Sequence, residues 1–304
     1  MKIAVVGSYG VGMTMRVAKA PGPGETVSGG SYVSGPGGKG SNQAIAAARL
    51  GAEVSLLTSV GPDAFGQEAL RLWERENVAA NHVVTGEKAT MVGFILVEEG
   101  GQNRIVIASG ALDELTETHV ESFRSTIRKA DMLIVSMEVP VDVVVAALRI
   151  GREEHTRTLL NPAPAAVLPD EVWSWIDVLT PNQAEAPVLL GLGDNHGLSH
   201  ELLVAELRQR TDATIVLTLG SEGSLVDDGA SVTAVPPVPA ARVIDTTGAG
   251  DSFTAALAVS LVGGHPLATA VRYASAAGSH AVTIEGVIDA LPTPEDIQNL
   301  IGSD

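Results

Sequence analysis

Apolar residues recur along the chain in two rhythms. KIAVV at 2–6, EVSLLTSV at 53–60, Met132–Ser136, Thr158–Leu160, Val178–Thr180 and Thr214–Leu219 are apolar at almost every position, the pattern of strands buried on both faces. Between and after them lie stretches with helical spacing: SNQAIAAARLGA at 41–52, AFGQEALRLWEREN at 64–77, and patterns over 249–262, 266–282 and 294–302. The alternation predicts an α/β, doubly wound fold with a mostly parallel sheet and helices on both faces. No linker divides the chain, so residues 1–304 are expected to form one domain.

Two segments break the rhythm. Residues 13–35 and 90–108 have strand composition with turn residues and no helical period, and together they predict a small β-sheet lid. The turn GSYGVG at 7–12 follows the first strand, where a dinucleotide pyrophosphate often binds. That binding needs a helix immediately afterwards. Pro21, Gly22, Pro23 and Gly24 preclude a helix of useful length, so the dinucleotide reading fails.

The chain of 304 residues carries 19 Lys+Arg against 36 Asp+Glu, a formal net charge of -17. Such an excess repels nucleic acid and anionic membranes. With no cysteine, thiolate catalysis and cysteine-ligated metals are excluded. The N-terminal apolar run is too short for a signal peptide, and Phe253–Val262 falls far below the roughly 18 residues of a membrane span. A cytoplasmic protein is the expectation.

Two glycine-rich loops carry the chemistry. In VIDTTGAGDSFTAALAVSLV at 243–262, Gly248, Ala249 and Gly250 lead into a helix, so their N–H groups can converge on an anion. Asp251 follows them directly. Asp is common at helix starts, but beside an anion site it also suits a base acting on a hydroxyl during phosphoryl transfer. In GPGGKGSNQAIAAARLGA at 35–52, glycines admit close backbone approach, while Lys39 and Asn42 add a cation and a two-way amide. His196 and His200 have no third ligand nearby in sequence. Trp173 and Trp175 read as packing.

GGKGSNQA at 37–44 and DTTGAGDSFTAA at 245–256 together resemble the two signatures of the ribokinase-like, or PfkB, carbohydrate kinases. NPAPA at 161–165, TPNQAE at 180–185 and TLGSEG at 218–223 stand between them in family order, so the likeness spans essentially the whole chain. It implies an ATP-dependent kinase of a small sugar or sugar derivative. Asp251 would be the base, and the amides of Gly248–Gly250 would stabilise the transferring phosphoryl. On the acceptor side it implies Gly10, Gly12, Gly38, Lys39, Gly40, Ser41, Asn42 and Glu138. On the ATP side it implies Asn182, Thr218, Gly220, Ser221, Gly223, Gly250 and Ser275, with Glu185 on the water shell of Mg²⁺. A monovalent cation, potassium, is implied at Asp245, Thr247, Ala281, Ile284 and Gly286, while Ala290 replaces a frequent serine ligand. Arg104 is expected to pair with Glu98 or Glu99.

The resemblance also implies a homodimer through the lid, whose strands carry Val27, Tyr32, Val33, Val92, Phe94 and Leu96. Ribokinases have Asn and Asp in the turn after the first strand, where this chain has Gly10 and Gly12. Losing a charge-assisted hydrogen bond of that kind costs about 1.5–3 kcal/mol. The expected acceptor is therefore not plain ribose but a bulkier or negatively charged one, with Tyr9 or the lid supplying the lost contacts. A nucleoside kinase of the same fold and a non-catalytic sugar- or nucleotide-binding regulator are the alternatives.

Overall fold

The computed structural model describes residues 1–100, 102–193 and 197–302; His196 lies outside them. Fifteen strands run in chain order through the described residues. They are β1 Lys2–Val6, β2 Gly10–Val17, β3 Ser31–Gly37, β4 Glu53–Leu57, β5 Ser59–Val60, β6 Val78–Ala79, β7 Val84–Thr85, β8 Val92–Glu98, β9 Asn103–Ala108, β10 Met132–Ser136, β11 Arg157–Asn161, β12 Val178–Leu179, β13 Thr214–Thr218, β14 Ser224–Asp227 and β15 Val232–Val235. The helices that bear on the site are α1 Lys39–Arg49, α2 Ala64–Arg75, α3 Glu117–Ile127, α4 Val141–Glu153, α5 Glu185–Leu189, α6 His200–Arg208, α7 Ala249–Val262 and α8 Leu267–Ala281.

The main sheet has nine strands in the order β15-β14-β13-β12-β11-β10-β1-β4-β6. It is parallel from β6 to β13 and antiparallel only at β14 and β15. That hairpin turns at Asp228 and Gly229, where Asp228 Oδ1 accepts the N–H groups of Ala230 and Ser231. Apolar residues fill both sides. Ile3 and Val5 face one core with α1, α7 and α8, while Ala4 and Val6 face the other with α3, α4 and α6. Strand order reverses at β1, with β4 on one side and β10 on the other, and crevices at such reversals are where ligands bind in open α/β sheets.

The second sheet has the order β3-β2-β8-β9 and is larger than the sequence suggested. It begins at Gly10 and reaches Gly37, so half of GSYGVG belongs to it, while Val27 lies between strands and outside the sheet. Tyr9 and Val11 are buried in the main core. Strand alternation therefore turns Gly10, Gly12, Thr14 and Arg16 the other way. The Ser8 hydroxyl on that side donates to Glu138, and the Arg16 charge acts on Asp245. This is the face turned toward the 245–251 loop. In register with it stand Gly35, Gly37, Val33, Gly93, Ile95, Ile105 and Ile107.

Among the described residues, no helix is long and apolar enough to cross a membrane.

Candidate active site

Three glycines bring the backbone of the first turn against α1. A Cβ on Gly40 would lie 2.5 Å from the carbonyl carbon of Gly7, and one on Gly38 would lie 2.6 Å from Tyr9 Cα. Gly38 also has φ +90, a conformation that side chains resist. The close approach lets Ser41 N–H donate to the Ser8 carbonyl at 2.8 Å and sets the first turn of α1 beside that of α7.

At this junction lies Asp251, buried. Asn42 Nδ2 donates to its Oδ2 at 2.8 Å, and Gln43 Nε2 donates to its Oδ1 at 3.1 Å. Burial pushes the Asp251 carboxyl above the ordinary aspartate value, against the opposing pull of Lys39, Asn42 and Gln43. Burial also penalises the Lys39 ammonium, but Asp251, Glu138 and Glu185 outweigh it and the group titrates above its usual value. Glu138 accepts from the Lys39 N–H at 3.1 Å as well as from Ser8.

A cavity of about 280 Å³ opens beside Asp251, lined among others by Lys39, Glu185, Thr218, Thr247, Gly248 and Gly250. Gly248 caps α7 with φ +81. The space above Gly250 is empty within 4 Å of where a Cβ would be, and first-turn N–H groups of a helix lack intrahelical acceptors. An anion can therefore approach this turn directly.

Asn182 and Glu185 share the cavity wall and also bond each other. Asn182 Oδ1 accepts the N–H groups of Ala184 and Glu185, and Glu185 Oε2 accepts the Asn182 N–H at 2.8 Å. Burial raises the Glu185 carboxyl above its ordinary value. Asp245 binds two loops together, taking the Thr247 N–H and hydroxyl on Oδ1 and the Gly286 N–H on Oδ2. Burial opposes its ionisation, yet these bonds and the Arg16 charge hold the carboxyl below the usual aspartate range. Asp245 N–H donates to Val282, and Ala281 accepts from Ile284, so all five residues expected around a monovalent cation fall where the loop before α7 meets the end of α8 and the loop after it.

The other expected residues have their own partners and surroundings. The Ser41 hydroxyl is committed to the Trp73 indole N–H at 2.9 Å. Tyr9 is fully buried, edge-on to Trp73 with ring centroids 5.1 Å apart, because residue 9 falls on the core side of the alternation; it cannot meet an acceptor. The expected opening exists at Gly12, where only the Gly35 carbonyl lies within 4 Å of an added Cβ. It does not exist at Gly10, whose Cβ position is filled by Met91. Gly220 and Ser221 lie outside the cavity lining, exposed in the turn after β13. Gly223 is buried, its Cβ position 2.3 Å from the Val235 carbonyl. Ser275 accepts the Val238 N–H at 3.1 Å, also away from the lining. Arg104 pairs with Glu98, as expected.

Gln43 and Asn161 were not singled out from the sequence, although both lie inside quoted motifs, GGKGSNQA and NPAPA. Nothing in either motif signals that the two amides meet across 118 residues.

The profile of the pfkB family carbohydrate kinase matches residues 2–294. The chain is 36% identical over 306 residues to the bifunctional ribokinase/ribose-5-phosphate isomerase A of Fructilactobacillus sanfranciscensis, covering all of this chain and 56% of that protein. It is 33% identical over 295 residues to the ribokinase of Haemophilus influenzae, covering 97% and 96% of the two chains. The structure of Arabidopsis thaliana ribokinase complexed with ribose and ATP superposes with a TM-score of 0.92 at 27% identity, covering 99% and 98% of the two chains.

Proposed function

We propose that this chain, which belongs to the PfkB family of carbohydrate kinases, transfers the terminal phosphoryl group of ATP to a hydroxyl of a small sugar derivative other than plain ribose. The observation that carries the reading is the buried Asp251 carboxylate on the first turn of α7, held by the Asn42 and Gln43 amides of α1 next to the Gly248–Gly250 backbone, where Ala249 N–H donates to the Thr246 carbonyl at 3.3 Å. A carboxylate there can take the proton of an acceptor hydroxyl while the amides and Lys39 balance the charge that develops on the phosphoryl oxygens. Phosphoryl transfer asks chiefly for such positioning and charge balance.

The ATP phosphates fit the cavity between Lys39, Thr218 and the α7 turn. Mg²⁺ bound with the nucleotide would neutralise phosphate charge, and Glu185, facing that cavity, suits its water shell. The all-oxygen set around Asp245, Thr247, Ala281, Ile284 and Gly286 suits a hard monovalent cation. Turnover is expected to rise when potassium replaces tetramethylammonium as the only monovalent cation; equal rates would contradict the site.

The acceptor reading rests on the lid. Its inward face offers Gly12, Gly35 and Gly93 side by side in register, with no carboxylate on β2 to hold sugar hydroxyls. Among D-ribose, hexoses, sugar acids and nucleosides assayed for ADP release, ribose is expected to rank below another acceptor by at least about tenfold in kcat/KM, the loss that corresponds to 1.4 kcal/mol. Ribose as the best acceptor would overturn this part.

The base assignment predicts that Asp251→Asn lowers kcat by about 10²–10⁴-fold while ATP still binds. Undiminished turnover by that variant would refute it. Tyr32, Phe94 and Val106, in register on the lid face opposite Gly12, are all more than two-fifths exposed, an apolar surface that suits a second copy of this chain. Sedimentation at micromolar concentration should show a dimer, and a monomer would count against it.

A further inference from the structure

Gln43 is fully buried, and its amide nitrogen has two hydrogens with two takers. Nε2 lies 3.1 Å from Asp251 Oδ1 and 3.0 Å from Asn161 Oδ1. Asn161 in turn donates through Nδ2 to the Thr180 carbonyl at 3.3 Å. The chain of bonds thus starts on the backbone after β12, passes through the end of β11 and the first turn of α1, and ends on the carboxylate of α7. Gln43 Oε1 is buried without a partner. Turning the amide over would aim that oxygen at Asp251 and Asn161 Oδ1, both acceptors, so the observed orientation is the only one with both contacts favourable.

We propose that Gln43 is a positioning residue for the Asp251 carboxylate, anchored by Asn161 so that it holds Oδ1 in a fixed direction and keeps the group ionised for proton abstraction. The inference rests on Asp251 being the base. Asn42 binds the other oxygen from the neighbouring residue, but it sits in the acceptor loop, whereas Gln43 is locked to the sheet. An N–H donated to a carboxylate oxygen binds the ionised group more strongly than the protonated one, so each of the two bonds favours the ionised form. Three other charged groups act on the same pocket: Lys39 on α1, Glu138 after β10 and Glu185 on α5. Lys39 favours the ionised form and the two glutamates oppose it. Gln43 supplies a neutral donor that does not depend on how those three titrate.

The test is the pH dependence of kcat at saturating ATP and acceptor for the full chain and for Gln43→Met, Asn161→Ala and Gln43→Glu. Gln43→Met is expected to lower kcat at neutral pH by about 10–100-fold and to move the acid limb to higher pH, with the KM for ATP unchanged. Asn161→Ala should shift the limb the same way by less. Gln43→Glu should shift it furthest, because two carboxylates then share the site. If folded Gln43→Met keeps the parent's profile and kcat, the proposal is overturned. If that variant does not fold, Asn161→Ala decides: an unmoved limb overturns the proposal and an upward shift supports it. Full turnover by Asp251→Asn would instead refute the base assignment, which is a separate result.

Discussion

The contact between the first turns of α1 and α7 is the constraint on which the site depends. A lone carboxylate taken out of water costs several kcal/mol, and Asp251 is buried. What offsets that cost is local: Asn42 and Gln43 donate one N–H to each oxygen, and Lys39 supplies a nearby positive charge. Hydrogen bonds to a charged group of this kind are worth about 1.5–3 kcal/mol each. They exist only because α1 can approach closely, and that approach requires Gly38 and Gly40 against the backbone of residues 7–10. On the opposite flank, Gly278 of α8 faces the Ala249 carbonyl at the same turn, which would lie 3.3 Å from a Cβ added there. The glycines shape the base's surroundings without touching it.

The lid follows from the same junction. β2 starts two residues after Ser8, whose hydroxyl binds Glu138 and whose carbonyl receives Ser41 N–H. The strand leaves the active site with Gly12 facing inward, Tyr9 and Val11 having been used to fill the core. In the function proposed above, acceptor discrimination rests on what the inward face lacks. The carboxylate that would bind hydroxyls is absent, and Val33, Ile95, Ile105 and Ile107 flank a surface of bare backbone. A polar sugar face laid against it leaves hydroxyls unpaired, at a cost of about 1–3 kcal/mol for each buried group.

The fold was legible because its signals are strong and local. The runs at 2–6, 132–136 and 214–219 are apolar at all but one or two positions each, the pattern of strands in a doubly covered sheet. The hairpin of β14 and β15 was missed, since β15 is exposed at three of its four residues and carries no continuous apolar run. The motifs around Gly38–Asn42 and Gly248–Asp251 lie in two loops that the fold brings together. Side-chain assignments within them were less legible, because a hydroxyl or ring is directed by packing partners far away in sequence. Ser41 serves Trp73 across 32 residues, Met91 fills the space at Gly10, and Gln43 meets Asn161 from another strand.

The central claim is that Asp251 receives the acceptor's proton. A crystal structure with a non-hydrolysable ATP analogue and the acceptor preferred in the ADP-release assay tests it directly. The account predicts an acceptor hydroxyl within about 2.6–3.2 Å of an Asp251 oxygen, with the terminal phosphate over Gly250 and the Asn42 and Gln43 bonds intact. An acceptor bound with no hydroxyl near Asp251, or with its reacting hydroxyl on Glu138 instead, would contradict it.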